Sequence, residues 1–260
     1  MKVVILCGGL GTRLRELTRD HPKSMSMIGD KPILWHIMRI YAYHDIKEFI
    51  LTLGYKGWQI KEYFLNLRSI VSDVTICPGD ESVEFHDEII ERDWRITLAE
   101  TGEYTMTGAR IWRARRYLEE EETFCVTYGD GLSDVNLTSL IAYHKKQGCT
   151  GTITGVHPSS RYGLVQMTGN RATGFREKVY LEEDWINGGF MVFDGARVWD
   201  YLSDDPNLSL ENGPLPAMAA DRQLSVYRHN GFWMGMDTAH EYDLLKELWR
   251  TNQSPWRVWE

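Results

Sequence analysis

Apolar residues along this chain fall into short runs that end at glycines, and between the runs they recur at helical spacing. Val3 to Cys7 is apolar, partly β-branched and stops at Gly8-Gly9, the pattern of a buried strand entering a turn. Phe49 to Leu53 repeats it and stops at Gly54. Between them Leu34, Ile37, Met38 and Tyr41 recur at i, i+3, i+4 and i+7 behind Pro32, which suits a first helical turn, so the segment reads as strand, helix, strand. Phe124 to Tyr128 ends at Gly129-Asp130-Gly131, Asn136 is placed to cap a helix reaching Gln147, and Thr150 to Val156 forms another strand. This alternation predicts an α/β protein with a largely parallel sheet.

After Gly163 the pattern changes. Gly163 to Met167 and Arg171 to Glu177 flank Thr168-Gly169-Asn170 like the two arms of a hairpin, and the run Phe190 to Phe193 follows Gly188-Gly189. This half is expected to build an acceptor site. The stretch Val74 to Leu98, with Gly79-Asp80-Glu81 between two short apolar runs, reads as an inserted β-hairpin or arm suited to self-association. No internal repeat or linker divides the chain, and 260 residues with 43% hydrophobic content can bury the core of one large domain, 1–260.

Charge and cysteine usage narrow the class. A formal net charge of −8 argues against a nucleic-acid or anionic-membrane surface, so any phosphate must be met by local cations. Cys7, Cys77, Cys125 and Cys149 form no C-x-x-C pair, which suggests neither a zinc site nor a disulfide framework and fits a reducing cytoplasm. The first apolar run is too short for a signal peptide, and no stretch approaches a membrane span.

Gly8-Gly9-Leu10-Gly11-Thr12-Arg13 follows the first strand directly, where absent side chains let backbone N–H groups approach a phosphate and Arg13 adds a permanent charge. Lys23, ten residues on, is placed to fold back over the loop as a point charge. The same residues also suit a plain glycine turn beside two solvated cations. A dinucleotide-binding loop is disfavoured because Gly9-x-Gly11-x-x-Leu14 lacks the third glycine, and no Walker Gly-Lys-Ser/Thr is present. Asp130 ends an apolar strand between two glycines, and Asp237 precedes a helical stretch. Two such carboxylates brought together could hold Mg²⁺ against substrate phosphates, whereas separately they suit a turn residue and a helix N-cap. Arg110, at a glycine-marked helix start, is either a further phosphate contact or a surface arginine.

The glycine segment with Pro22-Lys23 resembles the signature of the sugar-phosphate nucleotidyltransferase family. Lys31 to Met38, Gly54-Tyr55-Lys56-Gly57, Thr101-Gly102-Glu103, Met106-Thr107-Gly108, Thr127 to Gly131, Ile186 to Phe190, Gly231-Phe232-Trp233, Met236-Asp237-Thr238 and Pro255 to Glu260 bring the likeness to its glucose 1-phosphate cytidylyltransferase branch, over essentially the whole chain. The resemblance implies a Rossmann-like nucleotidyltransferase fold with a mixed central sheet, Mg²⁺ as cofactor and assembly into homo-oligomers. It implies an enzyme that converts CTP and a sugar 1-phosphate, α-D-glucose 1-phosphate first among them, to a CDP-sugar and pyrophosphate in nucleotide-sugar and polysaccharide biosynthesis. Residues 1–160 would then be mainly the nucleotide-binding half and 161–260 mainly the acceptor-binding half.

By motif position, Leu6, Gly8, Gly9, Gly11, Thr12, Arg13, Lys23 and Arg110 would bind the nucleotide, with Arg13, Lys23 and Asp130 catalytic. Asp130 and Asp237 would carry the metal, and Glu177, Lys178 and Asn187 would contact the acceptor. Departures from the family pattern gather on the acceptor side: Val179 after Glu-Lys, Gly213 before Pro-Leu, and Met234-Gly235 where Gln-Pro is common, with Ser24 replacing a proline after Lys23. They leave open a different phosphorylated acceptor. A non-catalytic nucleotide-sugar-binding paralogue is the rival from another class.

Overall fold

The computed structural model describes residues 1–9, 20–158, 164–176 and 184–259. Seven strands, β1 (Lys2–Leu6), β2 (Glu48–Leu53), β3 (Arg95–Glu100), β4 (Thr123–Tyr128), β5 (Gly151–Val156), β6 (Ile186–Asp194) and β7 (Leu224–Arg228), form one sheet in the order β7-β5-β6-β4-β1-β2-β3. β1 pairs in parallel with β2 and β4, β2 with β3, and β5 with β7, while β6 runs antiparallel between β4 and β5. The sheet is therefore mixed and mostly parallel.

Helices cover both faces, which is why the central strands are continuous apolar runs. Val3 and Ile5 of β1 face one core, shared with α1 (Ile33–Tyr43), α2 (Gly57–Leu65), α4 (Leu137–Gln147) and α6 (Ala239–Arg250). Val4 and Leu6 face the other, shared with α3 (Thr107–Ala114) and α5 (Pro214–Ala220). Among the expected elements, α1 begins behind Pro32 and α4 behind Asn136, whose Oδ1 accepts from the Ser139 N–H at 2.8 Å. The hairpin Leu164–Thr168 with Arg171–Arg176 turns at Gly169-Asn170, where Gly169 has φ +60°.

Two expectations need correction. The inserted hairpin is shorter than Val74 to Leu98: Val74–Cys77 pairs only with Ser82–Phe85, and Arg95 onward is the edge strand β3, in register with Glu48 of β2. A short apolar run does not distinguish an arm from a sheet edge, and the partner strand decides. The apolar run Phe190 to Phe193 is also only part of its strand. β6 begins at Ile186 and runs through both glycines, its register against β5 shifts between Ile153 and Gly155, and Gly189 has φ +83°. The pair marks a bulge inside a strand.

Candidate active site

From the central β1, the chain builds β2 and β3 outward on one side, while β4 lies on the other. Ligands of open α/β sheets bind beyond the carboxyl ends of the strands at such a reversal. A cavity of about 310 Å³ opens there, lined by Leu6 to Gly9 after β1, Tyr128 to Asp130 at the end of β4, the start of α3, and Lys23 and Asp237. The Gly129 N–H donates to the Leu6 carbonyl at 3.1 Å and joins the two strand ends.

The two candidate metal carboxylates meet in this cavity. Gly131–Ser133 pairs antiparallel with Trp233–Gly235, Gly131 opposite Gly235, and the Met236 N–H donates to the Asp130 carbonyl at 2.9 Å, so Asp130 and Asp237 emerge at one end of the ribbon. The Lys23 ammonium donates to Asp130 Oδ2 at 2.5 Å and to Asp237 Oδ1 at 2.9 Å. Its side chain is 13% exposed, and burial alone would lower its pKa, but the two carboxylates outweigh that and hold it above the ordinary lysine value. Lys23 thus reaches two adjacent anions and lines one cavity with Gly8 and Gly9, while Leu10 to Arg13 of the glycine segment lie outside the described residues. The N-cap of α6 is Thr238, which forms a capping box with Glu241, so Asp237 is free of that role.

Arg110 is buried, not a surface arginine, at 3% exposure. Its guanidinium donates to the carbonyls of Leu53 (2.8 Å), Gly8 (2.7 Å) and Glu103 (3.2 Å) and to Thr101 Oγ1 (2.7 Å). It binds together the ends of β1 and β2 and the entry to α3. Burial lowers its pKa to about 10, so it stays charged at neutral pH. A Cβ on Gly8 would lie 2.1 Å from the guanidinium carbon, and one on Gly54 2.6 Å from Nη2. Gly8 is therefore small to admit Arg110, whereas a Cβ on Gly9 would meet nothing within 4 Å among the described residues.

On the opposite wall Tyr128 packs against the bulge in β6. A Cβ on Gly189 would come within 2.5 Å of the Tyr128 ring, and the Asn187 amide approaches the Tyr128 hydroxyl at 3.5 Å. Trp233 donates from Nε1 to the Gly188 carbonyl at 2.7 Å and links this wall to the ribbon holding Asp237. Asn187 is thus near the cavity, while Gly11, Thr12, Arg13, Glu177, Lys178 and Val179 lie outside the described residues. Tyr128, Thr107 and Glu211 are site-forming residues that sequence reasoning did not select. The first two stand inside recognised motifs, while Glu211 carries no local signal. Of the tryptophans, Trp256 is buried in the α1 core and Trp199 stacks on Phe124, so both serve packing.

The family profile described as Nucleotidyl transferase matches residues 2–242. The chain is 45% identical over 259 residues to a probable glucose-1-phosphate cytidylyltransferase of Bacillus subtilis, and 42% identical over 260 residues to the glucose-1-phosphate cytidylyltransferase of Salmonella typhimurium. Both alignments cover 100% of each chain. Among solved structures, a UDP-glucose pyrophosphorylase complexed with UDP-glucose superposes with a TM-score of 0.68 at 15% identity, covering 96% of this chain and 98% of that one, a likeness of fold. On the matched profile and these full-length likenesses, the chain belongs to the nucleotidyl transferase family.

Proposed function

We propose that the chain is a cytidylyltransferase that joins CTP and α-D-glucose 1-phosphate to give CDP-glucose and pyrophosphate. The observation that carries the chemistry is the convergence of Lys23, Asp130 and Asp237 in the cavity at the carboxyl ends of β1 and β4. The identity of base and sugar rests on the two full-length relatives that bear this activity in their names. A phosphate oxygen of the sugar 1-phosphate attacks the α-phosphorus of CTP in line, the bond between the α-phosphorus and its bridging oxygen breaks, and pyrophosphate leaves with that oxygen. The attacking oxygen is already anionic near neutral pH, so no general base is required. The protein's task is to align two mutually repelling anions and offset their charge.

The residues take distinct parts in that task. Lys23 supplies a cation beside the phosphates, and Arg13 of the glycine segment a second. Gly9 admits the nucleotide beside Leu6 and Gly8 of the same cavity, and Gly11 and Thr12 of the glycine segment are assigned to nucleotide binding with them. Arg110 binds Gly8 and the ends of β1 and β2 together on the nucleotide side, and Glu177, Lys178 and Asn187 serve the acceptor. Residues 1–160 then furnish mainly the nucleotide side and 161–260 mainly the acceptor side. Asp130 and Asp237 suit Mg²⁺: they are hard oxygen donors already sharing one cationic partner, and that ion is commonly held by one or two carboxylates plus substrate phosphates. When bound, the ion would neutralise charge on the phosphates.

We further read the chain as a homo-oligomer of a reducing cytoplasm. Its hairpin exposes Ile76 and Val83, and its four cysteines are free thiols. The test of the activity is Mg²⁺-dependent pyrophosphate release with CTP, UTP, dTTP and ATP, each crossed against glucose 1-phosphate and other phosphorylated sugars. Turnover restricted to CTP with glucose 1-phosphate is expected. Folded protein that binds CTP but releases no pyrophosphate with any acceptor would make it a binding protein instead.

A further inference from the structure

Glu211 belongs to none of the recognised motifs, yet three chain segments meet on its carboxylate. The stretch 205–213 lies across the start of α3: the Met106 N–H donates to the Pro206 carbonyl at 2.8 Å, and the Gly108 and Ala109 N–H groups donate to the Leu208 carbonyl at 2.9 and 3.2 Å. From this stretch Glu211 accepts from Ser209 Oγ at 2.6 Å, from Thr107 Oγ1 at 2.8 Å, and from the Tyr128 hydroxyl at 2.5 Å. Partial burial would raise the Glu211 pKa, but the hydroxyl donors more than offset this and hold it below the ordinary value, so it is an anion at neutral pH.

The consequence falls on Tyr128. A phenol has one proton to donate, and here it goes to Glu211, which leaves the oxygen only as an acceptor. The ring is wedged against Gly189, and the Asn187 amide is oriented by the Gly189 N–H, which donates to Asn187 Oδ1 at 2.9 Å and turns the Asn187 NH₂ toward the Tyr128 oxygen. Tyr128 lines the same cavity as Asp130 and Asp237.

We propose that Glu211 is a positioning residue for the acceptor: by taking the Tyr128 proton, it fixes the phenol oxygen as a hydrogen-bond acceptor that selects a sugar ring by a hydroxyl donor. The inference rests on the transferase reading above. Glu211→Gln cannot accept from all three hydroxyls and releases the Tyr128 proton, while Tyr128→Phe deletes the oxygen, and both keep the shape of the side chain.

The test is steady-state kinetics of the wild type, both single variants and the double variant, with unfolding temperature checked for each. The KM for the sugar phosphate should rise about tenfold in each single variant and no further in the double variant, with the KM for CTP within about twofold of wild type. Ser209→Ala, which removes a different hydroxyl from the same carboxylate, should leave the sugar-phosphate KM within about twofold. Additive effects in the double variant, equal rises in both KM values, or an unchanged sugar-phosphate KM would overturn the inference while leaving the transferase reading intact. A folded wild type without turnover would instead remove the reading on which it rests.

Discussion

Lys23 and Asp237 stand 214 residues apart in the chain and 2.9 Å apart in space, and Asp130 shares the same ammonium at 2.5 Å. The Lys23 ammonium is thus shared between two carboxylates that would otherwise repel. Lys23→Met should lower kcat by about 10²- to 10³-fold, the size seen when one electrostatic donor is lost from an active site. It should also leave the two carboxylates more open to a divalent ion. Mg²⁺ should therefore raise the unfolding temperature of the variant more than that of wild type. Equal Mg²⁺ shifts in both proteins would mean that Lys23 and the ion do not compete for the carboxylates.

Arg110 and Gly8 form one unit, because the guanidinium fills the space that a side chain at position 8 would need. Gly8→Ala alone should destabilise the protein by about 1–3 kcal/mol through overpacking. In the Arg110→Ala background the added methyl has room, and its effect should shrink to near zero. Urea unfolding of the four proteins gives the coupling directly, and a constant Gly8→Ala effect in both backgrounds would contradict the steric account. Arg110→Lys should not restore stability, since one ammonium cannot reproduce a planar fork that serves four acceptors.

What was legible in the chain follows from the same contacts. β1, β2 and β4 could be read because strands buried on both faces are unbroken apolar runs, and each stops at a glycine where the chain must turn under the site. Asn136 announced α4 because capping is a local interaction. β3 was hidden because it is an edge strand with Arg95, Thr97 and Glu100 among its apolar residues. The fate of the Arg110 guanidinium depends on Gly8, which lies 102 residues away, and no local pattern carries that distance. Glu211 was illegible for the same reason: its partners Thr107 and Tyr128 come from other elements.

The boundary before α6 separates a structural residue from a chemical one. Thr238 accepts from the Glu241 N–H at 3.2 Å, and Glu241 Oε2 accepts from the Thr238 N–H at 2.8 Å, while Asp237 turns its carboxylate to Lys23. Thr238→Ala should cost about 1 kcal/mol of stability through the lost cap. Asp237→Asn should leave the cap intact and lower turnover, with its clearest effect on the Mg²⁺ concentration needed for half-maximal rate. If Asp237→Asn changed stability alone, Asp237 would be a structural residue of this boundary and not a metal ligand.

His36 makes the fold sensitive to acid at a point remote from the chemistry. It is fully buried, its Nε2 donates to the Ile28 carbonyl at 2.9 Å, and its Nδ1 accepts from Trp256 Nε1 at 3.5 Å, so the ring is neutral with both nitrogens used. Burial pushes its pKa down to about 4 from 6.5. Above pH 6.5 neither the folded nor the unfolded chain binds this proton, and the site's contribution is fully present. Between 6.5 and 4 only the unfolded chain binds it, so stability falls as pH falls, by roughly 3 kcal/mol across the window. His36→Gln keeps a donor for Ile28 but has no such proton. The wild-type advantage over this variant, measured by urea unfolding, should therefore shrink by that amount from pH 7 to pH 4. Carboxylates titrate alike in both proteins and cancel in the difference. An advantage independent of pH would show that the buried ring takes up its proton as readily as the unfolded one.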